Sequence, residues 1–373
     1  MARRSRSRSK FGELPGQDDP RAQLDGAALL AAAHPVLKRL KADLGERAAA
    51  SAAVTRALEA RHRAEKEAKR TADRFAAWRE ALLSQVAASW FLSCVFVRTL
   101  EDRGLLNTRR LAGPGAMDSQ ALFFSLAPSL TERDYLLTVF RELSRFPAAK
   151  ALFDPEHNLV WKLAPSAEAA KELLRLFRTP GAEAPAFRFG QASTRFLGDL
   201  YQELDEDVRK RYALLQTPDF IEEFILDRTL EPALERFGLD DTTLIDPTCG
   251  SGHFLLGAFD RLFDHRLRAA PDLGERRAAE LALDAVYGAD INPYAVAIAR
   301  FRLMLAYLEK AHFSRLADAP ELPLHLAVAD SLRHNPQKAQ IELAHMQGQS
   351  SAAWEAPTFA LEDDEVAREV LPR

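Results

Sequence analysis

The stretch "LIDPTCGSGHF", residues Leu244 to Phe254, brings an acid, a proline and two glycines to the end of an apolar run. Apolar side chains then repeat at helical spacing, at Phe254, Leu255, Ala258, Phe259, Leu262 and Phe263. The pattern predicts a strand that passes through a glycine-rich turn into an amphipathic helix. Such a turn lets a ligand approach the backbone and places free N–H groups beside it.

Two similar apolar runs follow, and the three runs predict one sheet. "TTLIDP", "DAVYGAD" and "LPLHLAVAD" each lead to an acid, namely Asp246, Asp290 and Asp330, with helical stretches between them. Strands that alternate with helices are typical of an open parallel sheet, which binds ligands outside the carboxyl ends of its strands. We therefore expect the three carboxylates to point toward one edge.

The loop does not fit the common nucleotide fingerprints. A dinucleotide fold would need a third glycine at position 255, where the chain has Leu255, and an acid about 20 residues further on. No GxxxxGK[ST] string for a nucleoside triphosphate occurs in the sequence.

The charge is unevenly distributed along the 373 residues. The net charge is −4, but residues 1–80 contain 18 Lys and Arg against 11 Asp and Glu, which gives +7 there and −11 in the remainder. A basic front end either follows a phosphate backbone or is a solvated helix face.

The two cysteines, Cys94 and Cys249, are far apart and show no CxxC spacing. We therefore expect no disulfide, no metal site and a cytoplasmic location. We also expect no membrane span, since the apolar stretch from Trp90 to Val97 is too short to cross a bilayer.

Composition divides the chain into five parts. We expect a disordered basic arm at 1–22, a helical domain at 23–180, a linker at 181–195, a domain of alternating strands and helices at 196–345 and a tail at 346–373. Helix is predicted from Ala27 to Leu106, with interruptions at Pro35 and Gly45. The apolar stretch "ASWFLSCVFVRTLEDRGLL" predicts a buried helix that ends near Gly104.

The glycine loop resembles the cofactor loop of S-adenosylmethionine-dependent amino methyltransferases. The string is Asp246-Pro247-Thr248-Cys249-Gly250-Ser251-Gly252-His253-Phe254. The resemblance implies that Asp246 binds the methionine amino group of the cofactor, while the glycines pass beneath its methionine and ribose. Cys249 has no identifiable partner base and is interpreted as a small buried thiol, and His253 as a first-turn helix residue.

Three further segments resemble the other elements of these enzymes, in the same order. "YGADINPYAVAIARFRLML" implies that Asp290 binds the ribose hydroxyls and that Ile291 lies against adenine, and "AVADSLRH" implies that Asp330 accepts from the adenine amino group. "LLQTPDFIEEFIL" resembles the element before the loop, with Thr217 and Pro218 at a helix start. Taken singly, each also has a structural explanation: strand-end acids and an N-cap pair.

Together these segments resemble adenine-specific (N6) DNA methyltransferases, specifically the PglX type of BREX phage defence. The resemblance runs from about residue 81 to 330 and also includes "SWFLSCVFVRTLEDRGLL" and "FLGDLYQELDEDVRKRYALLQTPDFIEEFILDRTLEPALE". It implies a helical N-terminal domain followed by an incomplete Rossmann-like methyltransferase domain with a parallel sheet. The expected partner is double-stranded DNA, from which such enzymes flip the target adenine.

The family's catalytic Asn/Asp-Pro-Pro-Tyr/Phe tetrapeptide does not occur in the sequence. Asn292-Pro293-Tyr294 has one proline and is interpreted as a helix N-cap with proline at the first helical position. We therefore expect a truncated, broken or split chain that binds S-adenosylmethionine but has no catalytic residue of its own. For catalysis it would depend on a C-terminal methyltransferase portion or on other defence subunits. Two alternatives remain open: a non-catalytic DNA- or protein-binding assembly module, and a methyltransferase that acts on RNA or protein.

Overall fold

The computed structural model describes residues 24–331, apart from 68–70, 156–157, 181–183, 191–193, 195 and 199–216. The expected basic arm at 1–22, the tail at 346–373, residues 332–345 and part of the linker at 181–195 lie outside the described residues. The domain boundaries therefore stay predictions.

The front part of the described chain is helical, as expected. Its α-helices are α1 (Gly26–Ala50), α2 (Ala52–Glu67), α3 (Phe75–Asp102), α4 (Ala116–Leu126), α5 (Glu132–Ser144), α6 (Lys150–Phe153) and α7 (Ala167–Leu176). Short 3₁₀ turns lie at Pro147–Ala149 and Leu159–Trp161.

Helix α1 continues through Pro35 and Gly45, so the predicted interruptions are wrong. Proline removes one intrahelical hydrogen bond, but packing of the apolar face outweighs that loss in a long helix. Gly45 faces α3, because a Cβ atom there would lie 3.4 Å from Leu83 Cδ1. The glycine thus lies at a close helix contact instead of ending the helix.

Helix α3 is the core of the front domain. It ends at Asp102, as predicted, and Trp90, Phe91, Val95 and Val97 are all fully buried. Within the part of the chain that the structure describes, this is the one helix long and apolar enough to cross a membrane, and 72% of its apolar window is buried inside the protein. Burial of this kind is typical of a core helix.

A buried ion network follows the apolar part of α3. Arg98 donates to Glu101 at 2.5 Å and to Asp102 at 2.6 Å. Glu101 also accepts from the backbone N–H of Leu111 at 2.8 Å, and Asp102 from that of Phe189 at 2.9 Å. A buried charge needs such partners to offset its lost hydration. The network therefore fixes the chain after α3 and holds Phe189, which lies within the expected linker.

The second part has the predicted alternation of strands and helices. Its elements are α8 (Asp219–Phe237), β1 (Leu244–Asp246), α9 (His253–Ala269), α10 (Glu275–Asp284), β2 (Val286–Asp290), α11 (Pro293–Lys310) and β3 (His325–Val328). The strands form a parallel sheet in the order β1-β2-β3, with Asp246 level with Gly288, and Asp290 level with Val328. The predicted fold class, helical followed by a partial Rossmann-like sheet, is confirmed.

The two faces of this sheet differ. Helix α9 packs closely on the face of Gly288, where a Cβ atom would lie 2.7 Å from Leu255 Cδ1. On the opposite face, Ile245 is 64% exposed, and the rings of Tyr287 and His325 stack at 4.4 Å. An apolar side chain exposed on a sheet face is a place where further protein can pack.

Helix α11 joins the two parts into one core. The fully buried ring of Phe301 stacks on Phe96 of α3, with centroids 4.2 Å apart. Nearby, the backbone N–H of Leu316 donates to the carbonyl of Leu105 at 2.9 Å. The helix that follows β2 is therefore supported directly by the core helix of the front domain.

We predict that Phe301→Ala lowers the free energy of unfolding by about 3–5 kcal/mol, because it leaves a cavity between α3 and α11. Both parts should lose stability together, as measured by thermal melting followed by circular dichroism. Phe237→Ala is the matched control, since that ring is 60% exposed. A loss below about 1 kcal/mol, within the range of surface substitutions, would contradict the shared core.

Candidate functional site

The loop between β1 and α9 needs its glycines for conformation and for space. Gly250 and Gly252 have φ of 53° and 82°, in the left-handed region that side chains disfavour. A Cβ atom on Gly252 would lie 2.9 Å from the Cβ of Ala299 in α11, whereas one on Gly250 would meet nothing within 4 Å. Gly252 therefore allows close helix packing, and Gly250 presents bare backbone to open space.

Asp290 connects the end of β2 to this loop. One of its carboxylate oxygens accepts from the backbone N–H of Gly250 at 2.9 Å, and the other from that of Asn292 at 2.8 Å. The side chain of Asn292 in turn accepts from the N–H of Tyr294 at 3.0 Å, so Asn292 is the N-cap of α11 with Pro293 at the first position, as predicted. The structure thus brings the second expected acid to the glycine loop.

Asp246 lies at the end of β1, where it accepts from the backbone N–H of Thr248 at 3.0 Å. Burial raises the pKa of its carboxyl, and the nearby charge of Asp290 raises it further, against the Thr248 hydrogen bond, which lowers it. Two carboxylates held close together attract a cation. The pair therefore forms an anionic edge beside the open glycine backbone.

Cys249 lies beneath these acids and is 5% exposed. Burial raises the pKa of its thiol, and the charges of Asp246 and Asp290 raise it further. A thiol that resists ionisation is a poor nucleophile. The interpretation of Cys249 as a small buried thiol is confirmed.

The segment after β3 also contacts the loop. The backbone N–H of Ala329 donates to the carbonyl of Asp290 at 3.0 Å, and the hydroxyl of Ser331 donates to the carbonyl of Pro247. Asp330, between these two residues, is half-buried. Ile291 follows Asp290 and is 54% exposed.

The remaining expected residues frame the loop. Thr217 is half-buried and precedes α8. The N-cap of α8 is Pro218, so the helix begins one residue later than it would with Thr217 as the N-cap. Phe254 packs against the hydrophobic core from the first turn of α9, and His253 is the first residue of that helix, as predicted. The structure thus brings together the segments of all thirteen predicted residues, while their roles toward a cofactor stay predictions.

Two buried arginines of α11 were missed by sequence reasoning. Arg302 donates to the carbonyl of Ser251 at 2.7 Å. Arg300 donates to the carbonyl of Leu326 in β3 at 2.6 Å, and burial lowers its pKa to about 10. The sequence feature that could have predicted them is the presence of two arginines within the otherwise apolar run "AIARFRLML", because a buried charge needs a partner inside the protein.

His253, Asp219 and Glu222 have ligand atoms within 4.8 Å of one another, a grouping that a metal ion could use. The Nη2 of Arg302, however, lies 3.3 Å from His253 Nδ1. A guanidinium only donates, so Nδ1 is the acceptor and a neutral ring carries its proton on Nε2, the nitrogen nearest the carboxylates. That tautomer cannot coordinate a metal through Nε2, and the cluster is better described as a polar contact between helices.

Comparison with known families gives a match to a methyltransferase domain. Residues 227–340 match the family model described as the MmeI DNA-methyltransferase domain. The matched segment contains the glycine loop, Asp246, Asp290 and Asp330, which are the residues on which the resemblance to methyltransferases was based.

Similar proteins point the same way. The adenine-specific methyltransferase PglX of Streptomyces coelicolor is 40% identical over 327 residues, which are 83% of this chain and 27% of that protein. A protein of Methanocaldococcus jannaschii described as a type II restriction enzyme and methyltransferase is 38% identical over 77 residues, 19% of this chain and 6% of that one. The chain therefore spans about a quarter of the length of the first relative.

Among solved structures, the Type IIL restriction-modification enzyme MmeI in complex with DNA aligns with a TM-score of 0.46 and 16% identity, over 86% of this chain and 42% of that one. The family resemblance expected from the motifs is confirmed by the sequence matches. Over 83% of its length this chain is similar to the adenine-specific methyltransferase PglX, and its residues 227–340 match the DNA-methyltransferase domain model of the MmeI type.

Proposed function

We propose that this chain provides the cofactor-binding portion of an S-adenosylmethionine-dependent enzyme that methylates adenine N6 at specific DNA sites, in restriction-modification or BREX phage defence. The observation that carries the proposal is the contact of the Asp290 carboxylate with the Gly250 N–H, within a chain 40% identical to PglX. This contact joins the expected ribose acid to the loop expected beneath the cofactor. The absence of any disulfide-like cysteine spacing fits the proposed cytoplasmic location.

The residues present fit the cofactor in three respects. Open space at Gly250 leaves room for a ligand against the backbone. The paired charges of Asp246 and Asp290 suit a cationic amino group and two ribose hydroxyls. The exposed side chain of Ile291 offers an apolar surface for an adenine ring, with Asp330 as the acceptor for its amino group. The bound cofactor would supply an electrophilic methyl group.

Methyl transfer itself requires residues beyond the cofactor site. The Asn-Pro-Pro-Tyr type of tetrapeptide, which would hold the flipped adenine, does not occur in the sequence, and the relative is much longer than this chain. We infer that a further methyltransferase portion acts together with this chain. The exposed Ile245 on the sheet and the edge position of β1 within the described sheet support a surface for it there.

A second candidate is an assembly module without catalytic function. It is favoured by the exposed apolar residues of α4, where Leu122 and Leu126 are 60% and 78% exposed. Exposed leucines at helical spacing are typical of protein-binding surfaces. Cofactor titration separates the two candidates, because the assembly module needs no S-adenosylmethionine.

We predict that the purified chain binds S-adenosylmethionine and that Asp290→Ala weakens binding about 30-fold or more, since it removes a charged acceptor and frees the Gly250 N–H. Isothermal titration calorimetry measures the affinities. Asp284→Ala is the matched control, because Asp284 precedes the same strand and pairs with His325 at 2.9 Å, away from the loop. No binding, or equal affinity of the Asp290→Ala variant, would favour the assembly module.

As the pH is lowered, the affinity for S-adenosylmethionine should begin to fall at a higher pH than it would at a site with an aspartate of ordinary pKa. The pKa of Asp246 is raised by burial, so this carboxyl takes up a proton at a higher pH than usual and loses the charge that binds the amino group. Titrations at stepwise lower pH, with folding checked by circular dichroism, test this prediction. Asp246→Asn should bind weakly with a flatter pH profile, whereas an unchanged slope in that variant would count against the assigned role.

The chain alone should transfer no methyl group to DNA. The expected result of an assay with tritiated S-adenosylmethionine and unmethylated genomic DNA is a signal at background, measured beside an active adenine methyltransferase. Addition of a purified partner that carries the tetrapeptide should produce N6-methyladenine. Methylated adenine made by the highly purified chain alone would contradict the prediction.

A further inference from the structure

We propose that Arg302 is a positioning residue, which holds the glycine loop, the first turn of α8 and Thr194 of the expected linker in one arrangement through contacts with Ser251, His253 and Thr194. The consequence for cofactor affinity rests on the proposed function, whereas the arrangement itself does not. We refer to these contacts, with those of His253 to Asp219 and Glu222, as the Arg302 clasp.

The guanidinium of Arg302 contacts segments that are far apart in sequence. Its Nη1 donates to the Ser251 carbonyl at 2.7 Å and lies 3.4 Å from the Ser251 hydroxyl. Its Nη2 lies 3.3 Å from His253 Nδ1, and its Nε lies 3.5 Å from the hydroxyl of Thr194. One planar group thus meets the glycine loop, the start of α9 and Thr194 of the expected linker.

His253 extends the clasp to α8. Because Nδ1 accepts from Arg302, the Nε2–H of the neutral ring faces the carboxylates of Asp219 and Glu222, each 3.8 Å away. Gly257 allows this close approach, since a Cβ atom there would collide with the carboxylate of Glu222. The first turn of α8, which follows Thr217 and Pro218, therefore packs against the first turn of α9.

The position of Arg302 favours a specific role over simple packing. The side chain is 4% exposed and belongs to a helix whose neighbouring residues are buried and mostly apolar. A buried cation there is tolerated only with good hydrogen-bond partners, and its strongest contact is to a backbone carbonyl inside the glycine loop. Lysine carries its three donors on one nitrogen and cannot reach partners that face three separate nitrogens of the planar guanidinium.

The test compares the wild-type chain with Arg302→Lys, His253→Asn and the control Arg266→Lys. Arg266 is a similarly buried arginine, which contacts Asp240 and the carbonyl of Leu239 and does not contact the loop. Hydrogen exchange with mass spectrometry follows the amides of residues 247–256 and 219–223, calorimetry measures S-adenosylmethionine affinity, and thermal melting measures overall stability.

Arg302→Lys should exchange faster in both segments and bind S-adenosylmethionine about 10-fold more weakly or worse, equivalent to the loss of one strong hydrogen bond. His253→Asn should behave differently, because asparagine offers an acceptor near the Nδ1 position and nothing at Nε2. Its exchange should rise at 219–223 and remain at the wild-type rate in the loop. Arg266→Lys should leave both segments and the affinity unchanged, whatever its melting temperature.

Unchanged loop exchange in Arg302→Lys would overturn the proposal, as would equal loosening of the loop in His253→Asn. If Arg302→Lys fails to fold, the segment-specific response of His253→Asn still decides between the clasp and general packing. If the wild-type chain binds no S-adenosylmethionine, the proposed function fails, while the exchange rates still test the Arg302 clasp.

Discussion

The hydrogen bond from the Gly250 N–H to the Asp290 carboxylate is the interaction on which the candidate site depends. Parallel strands do not by themselves fix the loops at their carboxyl ends, because those loops are separate segments of chain. Here a side chain from the end of β2 satisfies the backbone of the loop that follows β1. The acids of both strands are thereby held at one edge, beside a stretch of backbone without side chains.

Helix α11 carries this arrangement into the rest of the protein through three consecutive residues. Arg300 contacts the backbone of β3, Phe301 stacks on the core helix of the front domain, and Arg302 contacts the glycine loop. Successive residues of a helix point in different directions, about 100° apart, so one turn can serve three partners. The sheet, the front domain and the loop are thus supported by the same short segment.

The sequence was most informative where local rules apply. The glycine turn, the Asn292 cap and the strand-end acids Asp246 and Asp290 were predictable, because each depends on residues close by in the chain, whereas Asp330 lies two residues beyond the end of β3. Pro35 and Gly45 were misjudged because packing on α3 outweighs intrinsic helix preference. Arg302 was missed because its partners Ser251, His253 and Thr194 are near only in the folded chain.

The apolar character of α3 has a consequence for synthesis of the chain. Its ring partner Phe301 belongs to α11, the last helix of the described chain, whereas α1 is made before it. The apolar helix α3 therefore leaves the ribosome long before its packing partner α11 has been synthesised. Nascent chains with such exposed apolar surface bind chaperones and aggregate readily. Because α11 follows α3 by almost 200 residues, the core around α3 is complete only after α11 has been synthesised.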